Sequence, residues 1–169
     1  HTTAYAYRRY KSEVDNAAIH CGAEVIVKLD IRKFFDTVPK TAIEEVINQL
    51  GRNHTEAIKD RIIELCFTDQ GLPQGAPTSP FLSNAVLYPL DKAMVRFASF
   101  QNCRYTRYAD DITVSLKEDD PKLIKAIIVK TQQELEKLGY QLNYKKQKTL
   151  IICGVGGNGG DGFISVSYT

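Results

Sequence analysis

No apolar run in this chain approaches the length needed to cross a bilayer, and its N-terminus carries no secretory leader pattern. Charge of one sign is lacking too: 22 Lys and Arg stand against 20 Asp and Glu, a formal net charge of +2. That balance permits a nucleic-acid partner without demanding one, since phosphate binding shows itself as clustered cations. Two clusters exist, Arg8, Arg9 and Lys11 near the start and Lys145, Lys146 and Lys148 near the end. The plain reading of either is a solvated face, and composition alone favours it. The cysteines Cys21, Cys66, Cys103 and Cys153 form no Cys-x-x-Cys pair, which argues against a zinc site and a disulfide framework. Buried free thiols in a reducing, cytoplasmic setting are expected. No internal repeat or interdomain linker is visible. The 169 residues suffice for one domain with a sizeable core. The chain starts at His1 without an initiating Met, as a piece of a longer protein would.

What is present is a sequence of alternating element types. Residues 24–30 read as an apolar strand ending at Asp30. Helices are expected from about Pro39 to Leu50, stopped by Gly51, and from Thr55 to Phe67, with Ile58, Ile62, Ile63 and Leu65 as the buried stripe. A Gly/Pro-rich loop spans Gly71 to Pro80, where Ser79 and Pro80 suit an N-cap and first helical turn. The helix that follows carries Leu82, Val86 and Leu90, and Pro89 should kink or divide it. Cys103 to Leu116 reads as strand, turn and strand, with Ala109-Asp110-Asp111 at the bend. Asp119-Asp120-Pro121 opens another helix, striped with Leu123, Ile124, Ile127, Ile128, Leu135 and Leu138 and capped by Gly139. Short extended pieces near Tyr140–Asn143 and Thr149–Cys153 and a glycine-rich tail complete the chain. The expected class is α+β, a small antiparallel sheet with helices on one face.

Asp30 closes a strand and Asp110-Asp111 tip a hairpin, so adjacency in one sheet would gather three carboxylates at one edge. Such like charges raise one another's pKa unless a cation neutralises them. Mg²⁺ suits hard oxygen ligands completed by substrate phosphates, and two such ions serve phosphoryl transfer. The plain alternative is a solvated turn, and the chain holds its own control: Asp119-Asp120 is most simply a helix start. The difference lies in the flanking Tyr105, Tyr108, Ile112, Val114 and Leu116, which would bury most of the hairpin. On residue types alone the two readings stand even.

Three segments shift that balance: Leu29-Asp30-Ile31-Arg32-Lys33-Phe34-Phe35-Asp36, Gly71-Leu72-Pro73-Gln74-Gly75-Ala76-Pro77-Thr78-Ser79-Pro80, and Arg107-Tyr108-Ala109-Asp110-Asp111. In order and spacing they resemble the palm motifs of reverse transcriptases. The loop wording followed by Phe81-Leu82-Ser83-Asn84 is most similar to bacterial retron-type enzymes, with group II intron enzymes second. The resemblance runs from about Ala4 to Thr149. It implies that Asp30 and Asp110 are the principal metal ligands, with Ile31 beside them and Asp111 a less direct one, for Mg²⁺ or Mn²⁺. It also implies that the backbone of Ile31, Arg32, Lys33 and Phe34 faces a triphosphate.

Phe35 matches the family's steric gate, an aromatic ring where a ribose 2′-hydroxyl would sit, which selects deoxynucleotides by clash. The plain alternative is core packing, which suits Phe34. Gln74 matches a residue that contacts the incoming nucleotide, against an ordinary turn amide. Tyr-Arg-Arg-Tyr-Lys-Ser is a looser match to a triphosphate-holding fingers segment, naming Lys11. Lys146, among the three C-terminal lysines, matches a lysine able to protonate departing pyrophosphate, against a solvated basic turn.

The implied organisation is part of the fingers over 1–23, palm over 24–153, and a glycine-rich turn with a terminal strand over 154–169. The implied activity is RNA-directed DNA polymerisation, with RNA template, DNA or RNA primer and dNTPs as partners. The remaining fingers and a thumb would lie outside these residues, so the chain alone is not expected to be a working enzyme. Gly154-Val155-Gly156-Gly157-Asn158-Gly159 fits a dinucleotide fingerprint, but a strand-like Phe163–Ser167 follows where a helix is required, so that reading is rejected. The same segment departs from the retron pattern. Two rival functions are an RNA-dependent RNA polymerase, which Phe35 argues against, and a non-catalytic nucleic-acid-binding or assembly module, which the intact acids argue against.

Overall fold

The computed structural model describes residues 3–50, 55–146, 148–152 and 163–166. In chain order the elements are α1 (Glu13–Ala18), β1 (Val25–Asp30), α2 (Phe34–Thr37), α3 (Lys40–Leu50), α4 (Glu56–Cys66), α5 (Ser79–Val86), α6 (Tyr88–Phe100), β2 (Arg104–Tyr108), β3 (Asp111–Leu116), α7 (Pro121–Lys137), β4 (Lys148–Ile152) and β5 (Phe163–Val166). They fall into two compact units, His1–Arg32 with Leu90–Thr169, and Lys33–Pro89.

The first unit is built on one antiparallel sheet with strand order β2-β3-β1-β4-β5. Alternation sorts its side chains by face. Val25, Val27 and Leu29 of β1 are in register with Leu116, Val114 and Ile112 of β3, and Val114 in turn with Tyr105 of β2. All are at most 5% exposed, and each such burial contributes about 1.5–3 kcal/mol. Helix α6 meets this face through Asp91, which accepts from Tyr105 and Arg107. Helix α7 packs on α6, where Thr131 Oγ1 lies 3.7 Å from Met94 Sδ.

The opposite face carries Ile26, Lys28 and Asp30 against Ser115, Thr113 and Asp111. At its far end from the acids, the chain leaving α1 buries His20, with Nδ1 2.7 Å from Ser115 Oγ and Nε2 2.7 Å from Thr106 Oγ1. Burial, and then the charge of Arg104, push this imidazole down to about 4. The class is therefore α+β as expected.

Several local signals act as their chemistry dictates. Asp120 caps α7 by accepting from the amides of Lys122 and Leu123. Gly139, at φ +81°, ends it with a paired set of bonds, Gly139 N to Glu136 O and Tyr140 N to Leu135 O. Pro89 divides the helix, with Leu87 between α5 and α6. β5, a strand and not a helix, follows the glycine-rich segment; that segment and the stop at Gly51 lie outside the described residues.

Other expectations fail. In α4 Ile63 and Cys66 are buried and Ile62 is half-buried, while Ile58 and Leu65 are 46% and 69% exposed. The apolar positions of that helix form two stripes, and only one faces inward. Ser79 does not cap α5: the helix begins at Ser79 itself, whose hydroxyl donates instead to Pro73 O at 2.6 Å. Among the described cysteines all are free, but only Cys66 is buried; Cys21 is exposed and Cys103 half-buried. No described helix is long and apolar enough to cross a membrane.

Candidate active site

The two-residue turn Ala109-Asp110 brings the acids together. Tyr108 pairs with Asp111 to close the hairpin, and Asp111 pairs with Asp30 on the next strand. Paired residues point to the same face, so Asp30 and Asp111 stand side by side while Asp110 projects from the tip. Ala109 takes the left-handed conformation at φ +55°, which costs an alanine about 1–2 kcal/mol. Asp30 is buried, Asp110 half-buried and Asp111 exposed. Burial lifts the Asp110 carboxyl above the usual carboxylate range; Asp111 and Asp30 add to the lift, and Lys146 opposes it.

β4 pairs with β1 only from Val25 to Lys28, leaving the end of β1 open. Residues 141–143 fill that place. Arg32 N donates to Gln141 O, Asn143 N donates to Asp30 O, and Ile31 bridges Leu142. Both Asp30 oxygens are engaged: Asn143 Nδ2 donates to Oδ2 at 2.9 Å, and Lys146 Nζ to Oδ1 at 3.1 Å. Of the three C-terminal lysines, Lys146 is the one that reaches the acids. Its hydrogen bond to Asp30 raises its pKa, so the exposed ammonium keeps its proton.

The donor set, three carboxylates with one raised by burial and then by its neighbours, has the chemistry of a hard divalent cation site. Among the described residues no three acid, His or Cys side chains already form a closed ligand cluster. Lys146 presently supplies the positive charge beside Asp30.

The remaining expected residues have these positions. The amides of Ile31 and Arg32 are spent within the fold, on Asp110 O and Gln141 O, so a phosphate contact through them would require those bonds to open. Lys11 is exposed, its ammonium 4.8 Å from the Tyr5 ring centre. In the second unit Lys33, at φ +46°, precedes α2. Phe34 is buried, and the half-buried Phe35 meets it edge-on at 5.2 Å. Leu72 N donates to Phe35 O, tying the Gln74 loop to α2. Gly71 makes that approach possible: at φ +90°, a Cβ there would lie 2.2 Å from Phe35 O. Gln74 itself is exposed, beside Gly75 at φ +88°.

Two residues escaped the sequence reading. Arg107 is fully buried, and strand alternation could have found it, since it shares the inward phase of Tyr105 and Ile112. A cation in that phase requires a partner, here Asp91. Asn143 gave no local signal; its role arises from a contact 113 residues distant in sequence.

The model of the family described as reverse transcriptase (RNA-dependent DNA polymerase) matches residues 1–156. Retron Ec86 reverse transcriptase of Escherichia coli is 34% identical over 120 residues, covering 71% of this chain and 37% of that protein. Retron Mx162 reverse transcriptase of Myxococcus xanthus is 28% identical over 172 residues, covering 88% and 36%. The chain thus spans little more than a third of the length of these two relatives. Among solved structures, telomerase from Candida albicans in complex with a fragment of telomeric RNA superposes with a TM-score of 0.62 at 13% identity, over 90% of this chain and 32% of that one; this likeness concerns the fold. Members of the family use divalent metal ions, in keeping with the donor set described. The chain belongs to the reverse transcriptase family, with retron enzymes among its relatives.

Proposed function

We propose that this chain is the catalytic palm, over residues 24–153 with part of the fingers at 1–23, of an RNA-directed DNA polymerase. The observation that carries this reading is the register Asp30↔Asp111 with Asp110 at the adjoining tip, in a chain of this family. The reaction is attack of a primer 3′-hydroxyl on the α-phosphate of a dNTP, with pyrophosphate leaving. Mg²⁺, held by Asp30, Asp110, Asp111 and the backbone carbonyl of Ile31, would activate the attacking oxygen and stabilise the charge of the leaving one. The Ile31 side chain is buried, so only its main chain is available for that task.

The chain's own groups do the positioning. Asn143 holds Asp30 by side chain and backbone together. Lys146, which donates to Asp30 in this structure, would supply a protonated amine to the pyrophosphate. Phe35 acts as the sugar gate, and Gln74 and Lys11 contact the nucleotide. An RNA template, a primer and further fingers and thumb segments are the partners of the whole protein.

The test is primer extension on an RNA template by the full-length protein, comparing dNTPs with NTPs, with and without EDTA. Incorporation of dNTPs abolished by the chelator supports the reading. Phe35→Ala should narrow the preference for dNTPs by about tenfold or more, and unchanged sugar selectivity would remove Phe35 from the site.

A further inference from the structure

Both peptide planes that flank Asp110 are tied down. The plane after it is held at Asp110 O by the Ile31 amide, at 3.2 Å. The plane before it is held at Ala109 O by Arg107 Nη1, at 2.7 Å. With both planes fixed, the direction in which the Asp110 side chain leaves the main chain is fixed as well. Arg107 is itself anchored: Nε donates to Asp91 Oδ1 at 2.8 Å and Nη2 to Asp91 Oδ2 at 2.7 Å, while Tyr105 Oη adds a 2.7 Å bond to Oδ1. Burial works against the Arg107 charge, but the bonds to Asp91 outweigh it and raise its pKa. Asp91 neutralises the guanidinium, so the unit delivers geometry and not net charge. It also restrains Ala109, whose left-handed backbone would otherwise relax.

The geometry points to Arg107, with Asp91 as its anchor, as the positioning residue that aims Asp110 at the cation from behind the turn. This inference rests on the reading of Asp110 as a metal ligand. The planar fork of arginine suits the task because one face can grip a carboxylate while the remaining nitrogen reaches a carbonyl. A buried ion pair is not in itself a source of stability, and an apolar replacement of similar volume is often neutral or stabilising. The stereochemical role can therefore be separated from the packing role.

The experiment uses the full-length protein and reads Mn²⁺ binding by EPR titration, beside thermal melting and dNTP incorporation at several Mg²⁺ concentrations. The triple variant Arg107→Met, Asp91→Leu, Tyr105→Phe removes the three hydrogen-bonding side chains Arg107, Asp91 and Tyr105 at once. It should fold and melt near the parent, yet bind Mn²⁺ about 10–100-fold more weakly. Incorporation should fall at low Mg²⁺ and recover in part as Mg²⁺ is raised. If the triple variant does not fold, Arg107→Lys decides, since one ammonium nitrogen cannot stand both where Nε and Nη2 meet Asp91 and where Nη1 meets Ala109 O. Folded protein of either kind with the parent's Mn²⁺ affinity overturns the inference. Asp110→Asn separates the two levels of the argument. Loss of Mn²⁺ in Asp110→Asn but not in the Arg107 variants defeats the positioning role alone; unchanged binding in Asp110→Asn defeats the reading of the site.

Discussion

The same dipeptide occurs twice in this chain, nine residues apart, and is put to opposite uses. Asp119-Asp120 is exposed, and Asp120 turns its carboxylate back on the amides of Lys122 and Leu123, where the start of α7 welcomes negative charge. Asp110-Asp111 sits on a two-residue hairpin between strands whose inward side chains are buried, and a third acid is brought alongside by strand register. There burial and the neighbouring acids push the Asp110 pKa up, and a backbone hydrogen bond offsets this only in part. One pair relieves the charge of its surroundings; the other accumulates charge that only a cation would relieve. Composition and spacing do not distinguish them. Location in the sheet does.

The largest expected effect comes from removing a member of the charged pair's cluster. Asp30→Asn should lower dNTP incorporation by about 10³-fold or more, read in single-turnover kinetics, because one anionic carboxylate that would hold the cation is lost. Asn143→Ala leaves the carboxylate but frees its orientation, and should cost about 10–100-fold in metal affinity, measured by Mn²⁺ titration. On the other side of the comparison, Asp120→Ala should leave incorporation unchanged and cost about 1 kcal/mol of stability in denaturant melts, the usual worth of an N-cap.

The smallest effect is the most diagnostic in sign. Asp110→Asn should raise the melting temperature at pH 7, while Asp120→Asn does not. The folded-state pKa of Asp110 lies above its unfolded value, so its ionised form destabilises the fold at neutral pH. As pH falls through that raised pKa, the parent takes up a proton and the difference shrinks; below the ordinary carboxylate range it is gone. A melting series from pH 7 to pH 3 in both backgrounds checks this.

What could be read in advance divides along the same line as the two acid pairs. Asp120, Gly139 and Pro89 act through bonds to their own neighbours within a few residues, and their roles were legible from residue type and position. The two strands of the hairpin were legible from apolar alternation, and the convergence of Asp30 with Asp110-Asp111 followed once the strands were paired. The partner of Arg107, the role of Asn143 and the two-sided stripe of α4 depend on contacts distant in sequence, which one chain of letters does not display. Ser79 shows a third case. Its hydroxyl suits a cap, but the helix starts one residue earlier than a cap there would require, and the hydroxyl donates to Pro73 O six residues back.

The most direct test sets the two dipeptides against each other in the full-length protein, by primer extension on an RNA template with dNTPs and Mg²⁺. Asp110→Asn should abolish extension, and the combined Asp119→Asn, Asp120→Asn variant should extend at the parent's rate. Extension by Asp110→Asn equal to the parent, or equal loss in both variants, would contradict the assignment of the hairpin acids as the catalytic centre.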